Sequence, residues 1–191
     1  MAPRHHSATR HVAGPRVELA TRTVFNILGP LSNPAGVKRL LVGVFAKDWI
    51  EPMAQVLGNL GAEKAWVVHG ADGLDEITTT GTTYVAALED GKVTCFEIEP
   101  EDAGLGRARA EDLKGGDADF NARALSGLLA GDPGPFRDVV LFTAAAALVV
   151  ADKAGDLKQG VEVAARAIDS GAARAALDKM VEITNLEIET G

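Results

Sequence analysis

Two adjacent carboxylates, Asp75 and Glu76, stand in the segment HGADGLDEITTTG, directly after an apolar run that is typical of a buried strand. In a turn, unlike in a strand, two neighbouring side chains can be directed at one place. Carboxylate oxygens beyond the carboxyl end of a strand suit Mg²⁺, which takes one or two carboxylates and leaves its other positions to water and phosphate. Two alternatives remain open: Asp75 caps a helix that starts at Glu76, or both residues are solvated surface charges.

A second group of chemically capable residues is basic and lies near the N-terminus. Its members are Arg4, His5, His6, Arg10, His11, Arg16 and Arg22. The histidine spacing is not that of a zinc-binding helix, and no nearby glutamate completes such a site. Paired arginine and histidine side chains can instead hold a carboxylate through bidentate hydrogen bonds. The alternative is a disordered basic N-terminus.

Two glycine-containing segments could bind a ligand but are better explained as structural. Gly29-Pro30, with Asn33-Pro34 after it, predicts a rigid turn that would let the backbone approach a planar ligand. From spacing alone, a structural loop between a helix and a strand is favoured. Gly115-Gly116-Asp117 resembles a phosphate-binding loop, but no buried strand precedes it, so we expect Asp117 to cap a helix.

The elements that must position these residues follow from apolar periodicity. Lys38–Phe45 and Lys64–His69 are predicted to be buried strands, joined by a helix that Asp48 caps and Gly61 ends. A strand, a helix and a second strand in this order form a right-handed βαβ unit with parallel strands. Two alternating segments around Asp90-Gly91 then predict an antiparallel hairpin added to the sheet.

Helices close the chain, and the whole is predicted to be one α/β domain. The predicted helices are Asp119–Leu129, Phe136–Ala151, Leu157–Ser170 and Ala173–Ile183. We therefore expect a mixed, mainly parallel sheet covered by helices, with the domain over residues 1–185 and a tail over residues 186–191.

Composition excludes several classes of protein. Of 191 residues, 47% are hydrophobic and 24% charged, which is a globular composition. A net charge of −8 disfavours nucleic-acid and acidic-membrane partners, because their phosphates would repel this surface. The sole cysteine, Cys95, is expected to be structural and fits a reducing, cytoplasmic location. No apolar run approaches the roughly 20 residues of a membrane span, and the N-terminus lacks a secretory signal.

Several long blocks together resemble the C-terminal half of the anthranilate phosphoribosyltransferases. They are APRHHSATRHV, LATRTVFNILGPLSNPAGVKR, VVHGADGLDEIT, LKGGDADFNARAL and AAAALVVADKAGDLKQGVEVAARAIDSGAA. The resemblance covers essentially the whole chain. It implies the catalytic α/β fold of glycosyltransferase family 3, which the nucleoside phosphorylases share.

The resemblance also implies an activity and a set of site residues. Enzymes of that family transfer phosphoribosyl from 5-phosphoribosyl 1-diphosphate to anthranilate in tryptophan biosynthesis, with Mg²⁺. Arg16 matches the arginine that holds the anthranilate carboxylate, and His6, Gly29 and Pro30 match residues lining the anthranilate path. Asp75 and Glu76 match the acidic pair that binds magnesium on the diphosphate.

The chain also departs from the family pattern. The Gly-Thr-Gly-Gly-Asp, Asn-x-Ser-Thr and Lys-His-Gly-Asn motifs are absent, Thr9 replaces a methionine or tyrosine, and Ala20 replaces a glycine. We therefore expect a truncated member that lacks the helical domain through which the family forms homodimers. Such a chain would expose apolar sheet surface, would be poorly stable or self-associating, and would have little or no activity alone. The alternative is a non-catalytic remnant, or half of a split enzyme that needs a partner chain.

Overall fold

The computed structural model describes Glu18, residues 25–33 and residues 35–186. The elements within these residues are α1 (Phe25–Leu31), β1 (Arg39–Gly43), α2 (Ile50–Asn59), β2 (Lys64–Gly70), β3 (Thr83–Glu89), β4 (Lys92–Ile98), α3 (Ala118–Leu129), α4 (Pro135–Val150), α5 (Leu157–Asp169) and α6 (Ala172–Thr184). None of the described helices is both long enough and apolar enough to span a bilayer.

The strands form one mixed sheet in the order β1-β2-β3-β4. β1 and β2 are parallel, as the predicted βαβ unit requires, whereas β2 with β3 and β3 with β4 are antiparallel. The predicted mixed sheet is confirmed, but among the described strands antiparallel pairings outnumber the parallel one, so "mainly parallel" is wrong for this part. The cause is that β3 joins β2 through a returning loop instead of a crossover helix.

The two central strands, β2 and β3, are buried on both faces of the sheet, which explains their uninterrupted apolar character. On one face Ala65 and Val67 of β2 pack against α2. On the other face Trp66 and Val68 pack against α4, whose Phe142 is completely buried. The domain therefore has helices on both sides of the sheet, with α5 covering the outer side of α4.

The hairpin between β3 and β4 turns at the predicted dipeptide. Asp90 and Gly91 have φ of 50° and 72°, the left-handed pair that a type I′ turn demands. Cys95 lies on β4, the outer strand of the described sheet, and its side chain is exposed. β4 leaves most of its residues exposed to solvent, and the expectation that Cys95 is structural stays a prediction.

Two predicted helix boundaries need correction. Asp48 lies inside a short 3₁₀ turn, Lys47–Trp49, that precedes α2, so it does not cap that helix. Gly29-Pro30 does not form the predicted turn, because α1 continues through both residues to Leu31. A residue before proline avoids helical geometry mainly through its Cβ, and glycine has none, so Gly29 relieves the clash.

The helix boundaries at Gly61, Asp117, Pro135 and Gly171 are confirmed, whereas the strand predicted over Lys38–Phe45 is shorter, Arg39–Gly43. Gly61, with φ of 90°, follows the end of α2, and Asp117 accepts a hydrogen bond from the amide of Phe120 (2.8 Å) as the N-cap of α3. α4 begins at Pro135, after Gly134, and Gly171 follows the end of α5.

The packing of α4 on α5 depends on a glycine. A Cβ at Gly160 of α5 would lie 2.7 Å from both the Cα and the Cβ of Ala145 in α4. Real side chains do not tolerate that separation, so the absence of a side chain lets the two helices approach closely.

We expect Gly160→Ala to lower the free energy of unfolding by about 1–3 kcal/mol, because overpacking forces α4 and α5 apart. Gly127→Ala in α3 is the matched control, since the atoms nearest to its Cβ would belong to the side chain of Asp132, which is exposed and can move aside. Urea denaturation of both variants measures the difference. Equal stability of the two variants would contradict this account of the packing.

An ion-pair network joins β1, β2 and the end of α4. Asp152, which follows α4, contacts Arg39 and accepts from Lys64 (2.9 Å), while Lys64 also pairs with Glu89 (2.8 Å). Hydrogen bonds from Lys64 and Arg39 lower the pKa of Asp152. Hydrogen bonds to Glu89 and Asp152 raise the pKa of Lys64.

We expect Asp152→Asn to destabilise the protein at pH 7 and to have no effect at strongly acidic pH. A carboxyl with a lowered folded pKa contributes stability above its unfolded pKa, and this contribution disappears as the pH falls through the folded pKa. Asparagine tolerates the φ of 53° at this position, so backbone strain does not confuse the comparison. Thermal melts between about pH 2 and pH 7 test the expectation.

Asp90→Asn is the control, because Asp90 shares the left-handed backbone and, although it follows Glu89 directly, takes part in none of the network's ion pairs. A stability difference between wild type and Asp152→Asn that did not shrink at low pH would contradict the electrostatic explanation.

Candidate functional site

Asp75 and Glu76 lie in a closed loop, residues 71–82, that leaves β2 and returns into β3. Its ends are held together because Gly70 pairs with Thr83 in the sheet and the amide of Ala71 donates to the carbonyl of Thr82 (2.8 Å). The loop starts at the carboxyl end of β2, the edge at which open α/β sheets bind ligands.

The two carboxylates are exposed and belong to no helix. The alternative that Asp75 caps a helix starting at Glu76 is therefore wrong. The backbone of Asp75 crosses directly over the end of β1, where a Cβ at Gly43 would overlap the carbonyl oxygen of Asp75. Only glycine at position 43 allows the loop to lie against the strand, and this crossing fixes the height of the acidic pair above the sheet.

A third carboxylate, that of Asp72, lies inside the loop. Its Oδ2 accepts hydrogen bonds from the hydroxyls of Thr78 (2.6 Å) and Thr80 (2.6 Å), and its Oδ1 accepts from the amide of Leu74 (3.2 Å). Partial burial by itself would raise the pKa of Asp72, but the hydrogen bonds from Thr78, Thr80 and Leu74 outweigh it and lower the pKa.

The second half of the loop is anchored in the core. Ile77 is fully buried among the residues that pack against α4. Thr78 and Thr79 are also fully buried, and the amide of Thr78 donates to the hydroxyl of Thr83 (3.1 Å). The exposed acidic pair is thus followed immediately by three residues that cannot move without disturbing the core.

The segment after β4 holds the loop from outside. The hydroxyl of Thr82 donates to Glu99 (2.6 Å), and Arg107 binds both Glu99 (2.7 Å) and Glu101 (2.9 Å). The amide of Ala108 donates to the carbonyl of Thr79 (2.9 Å). Loop 71–82 is therefore held between the sheet and a neighbouring chain segment.

Two of the predicted site residues meet at one cleft. Pro30 and Asp75 both line a cavity of about 210 Å³, together with Gly43 and with Trp49 and Met53 near the start of α2. A larger cavity of about 630 Å³ follows β1 and is lined by Gly29, Pro30 and the strand itself.

The other predicted site residues that the structure describes are not in that cleft. Glu76 does not line it, although it is adjacent to Asp75. Arg16 and His6 lie outside the residues that the structure describes. Their predicted roles therefore stay predictions.

The donor set fits a magnesium ion that keeps part of its water shell. Within residues 25–33 and 35–186, no three His, Cys, Asp or Glu side chains cluster as a ready-made metal site. Magnesium does not need such a cage, because it binds through one or two carboxylates and completes its shell with water and phosphate. Asp75 and Glu76 supply that number of hard oxygen ligands from an exposed position.

Sequence reasoning missed Gly43 and Asp72. A glycine inside an apolar strand was a usable signal, because it often marks a close approach of another backbone. The dipeptide Asp72-Gly73 was a turn signal in the sequence, and aspartate in a turn often accepts from the amide two residues on, as Asp72 does from Leu74. The bonds from Thr78 and Thr80 had no local signal.

Comparison with known proteins gives relatives over nearly the whole chain. The family model described as "Glycosyl transferase family, a/b domain" matches residues 1–174. An anthranilate phosphoribosyltransferase of Rhodopseudomonas palustris (strain BisA53) is 64% identical over 96% of this chain. Another from Azospirillum brasilense is 65% identical over 98% of it. The chain spans 54% and 52% of these two relatives, about half of their length.

Solved structures agree with the sequence relatives. The crystal structure of anthranilate phosphoribosyltransferase from Thermus thermophilus is 43% identical, with a TM-score of 0.84, over 93% of this chain and 52% of that one. The Saccharomyces cerevisiae enzyme in complex with PRPP and Mg is 29% identical, with a TM-score of 0.83, over 95% of this chain and 53% of that one. The resemblance deduced from the sequence is confirmed, and this chain belongs to the glycosyl transferase family, a/b domain.

Proposed function

We propose that this chain carries the magnesium-binding and acceptor-binding parts of an anthranilate phosphoribosyltransferase. In that reaction the amine nitrogen of anthranilate bonds to C1 of the ribose, the bond from C1 to the diphosphate oxygen breaks, and the amine loses a proton. The observation that carries the proposal is the loop crossing at Gly43, which holds Asp75 and Glu76 at the carboxyl end of the parallel strands. Relatives of that name over 96% of the chain support it.

Asp75 and Glu76 are proposed to hold Mg²⁺ against the diphosphate. When bound, the ion neutralises negative charge that develops on the leaving group. The exposure of both carboxylates supports this role, because ligands to a metal that is shared with a substrate must reach out of the protein surface. The carboxylates themselves orient the ion and exchange no proton.

Arg16, His6, Gly29 and Pro30 are proposed to bind anthranilate. Arg16 would fix its carboxylate through paired hydrogen bonds, leaving the amine free to attack. The cleft that Pro30 shares with Asp75 supports this arrangement, since acceptor and diphosphate must meet at one carbon atom. Rate enhancement would then come mainly from holding the two substrates in line.

The first test is the activity of the chain, because it spans about half of its relatives. We expect little or no turnover by the 191 residues alone, and turnover when they are mixed with the segment of the R. palustris relative that they do not span. Loss of anthranilate fluorescence in the presence of 5-phosphoribosyl 1-diphosphate and Mg²⁺ measures both.

Each outcome of that assay has a distinct meaning. Turnover by the chain alone at the rate of the full-length relative would contradict the prediction of weak activity. A mixture that forms a stable complex but never consumes anthranilate would contradict the proposed function, and would favour a non-catalytic remnant.

Replacing both carboxylates, Asp75→Asn with Glu76→Gln, should reduce turnover of the mixed sample at least about 100-fold, because the leaving group loses its electrostatic stabilisation. Asp90→Asn is the control for removing an exposed carboxylate elsewhere. Turnover is measured across a Mg²⁺ titration. A double variant that keeps the wild-type Mg²⁺ dependence would show that other residues hold the metal.

Gly43→Ala should displace the loop, because its new Cβ cannot occupy the same space as the carbonyl oxygen of Asp75. The Mg²⁺ concentration needed for half-maximal turnover should rise roughly 10-fold or more. Gly106→Ala, where a Cβ would have no neighbour within 4 Å, is the matched control. A folded Gly43→Ala variant with an unchanged Mg²⁺ titration would contradict the importance of the crossing.

A further inference from the structure

We infer that Asp72 is a positioning residue that sets the direction of the Asp75–Glu76 pair by joining the beginning of the exposed bend to its end. This inference rests on the proposed metal-binding role of that pair. Asp72 stands before the bend, and the hydroxyls of Thr78 and Thr80 reach its Oδ2 from the other side, each at 2.6 Å.

The two halves of the bend are held by different means. The first half has backbone bonds, from the amide of Gly70 to the carbonyl of Leu74 and from the amide of Gly73 to the carbonyl of Gly70, each at 2.9 Å. The second half is held by the burial of Ile77 and by the hydrogen bond that the hydroxyl of Thr78 donates to Asp72. Asp72 contacts both halves, because its Oδ1 also accepts from the amide of Leu74.

The hydrogen-bond chain is strongest with a carboxylate, because all three of its partners donate to Asp72. The amide of Thr80 donates to the hydroxyl of Thr78 (3.0 Å), which leaves that hydroxyl's proton for Asp72. An asparagine would place its NH₂ group either against the two threonine hydroxyls or against the amide of Leu74. With the NH₂ group on the threonine side, the two short bonds to a charged carboxylate would be replaced by weaker bonds to a neutral amide, and the two ends of the bend would be held together less firmly.

Asp72 is not itself a metal ligand in this arrangement. Its Oδ2 already accepts from two hydroxyls and its Oδ1 from an amide, and all three donors belong to the loop. The side chain of Asp72 also lies close to the backbone of Gly70, where a Cβ would be 2.5 Å from Oδ1 of Asp72. Asp72 therefore acts on the metal only through Asp75 and Glu76.

The test uses the 191-residue chain with Mn²⁺ as the probe, in the presence of inorganic diphosphate. Electron paramagnetic resonance of free Mn²⁺ gives the affinity, and amide hydrogen exchange of residues 73–76 reports the order of the bend. We expect Asp72→Asn to weaken Mn²⁺ binding about 10-fold and to speed exchange at residues 73–76.

Two further variants separate positioning from general stability. Thr80→Val should weaken Mn²⁺ binding and speed exchange at residues 73–76, as Asp72→Asn does. Thr80→Ser keeps the hydroxyl, so its Mn²⁺ affinity and exchange rates should equal those of the wild type. Asp156→Ala is the matched control, because it removes the side-chain cap of α5, where Asp156 accepts from the amide of Gln159 (2.8 Å), without touching the loop. It should lower the melting temperature and leave both readouts unchanged.

Wild-type exchange at residues 73–76 in Asp72→Asn would overturn the inference. So would a loss of Mn²⁺ affinity no larger than that of Asp156→Ala. If the wild-type chain binds no Mn²⁺, the proposed metal role of Asp75 and Glu76 fails, and exchange alone decides the inference: faster exchange in Asp72→Asn supports it and unchanged exchange overturns it.

Discussion

The close approach of two backbones, at Gly43 of β1 and Asp75 of loop 71–82, is the constraint on which the candidate site depends. A side chain at position 43 would occupy the space of the Asp75 carbonyl, so the contact exists only because that residue is glycine. It ties the loop to a strand other than the two that the loop connects. The position of the acidic pair therefore depends on the parallel strands β1 and β2 and not only on β2 and β3, which the loop connects.

The sheet holds the loop in a fixed place because its central strands, β2 and β3, are buried on both faces. Alternating residues of β2 contact α2 on one side and α4 on the other, and Ile77 of the loop enters the α4 side of the core. Close packing makes such a core resistant to small displacements. The loop is thus exposed at the acidic pair and rigid on either side of it, which suits a site that must accept a metal and a substrate from solvent.

Charge is a physical reason for a metal ion to take part in the proposed function. The chain carries a net charge of −8, and a diphosphate substrate is also anionic. Two cationic side chains of the described residues are already engaged: Arg107, next to the loop, binds Glu99 and Glu101, and Lys47, just before α2, lies 3.4 Å from the centre of the Tyr84 ring. An acidic pair would attract phosphate only through a divalent cation between them.

The sequence by itself determined the strands of the βαβ unit, the hairpin at Asp90-Gly91 and the Asp117 cap, because apolar periodicity and turn chemistry are local properties. It also pointed to Asp75 and Glu76, through their place after a strand and through family resemblance. Only the tertiary structure brought Gly43 under Asp75 and placed Pro30 and Asp75 around one cleft. Those contacts join residues far apart in the chain, and their distances depend on how helices and strands pack, which no local pattern specifies.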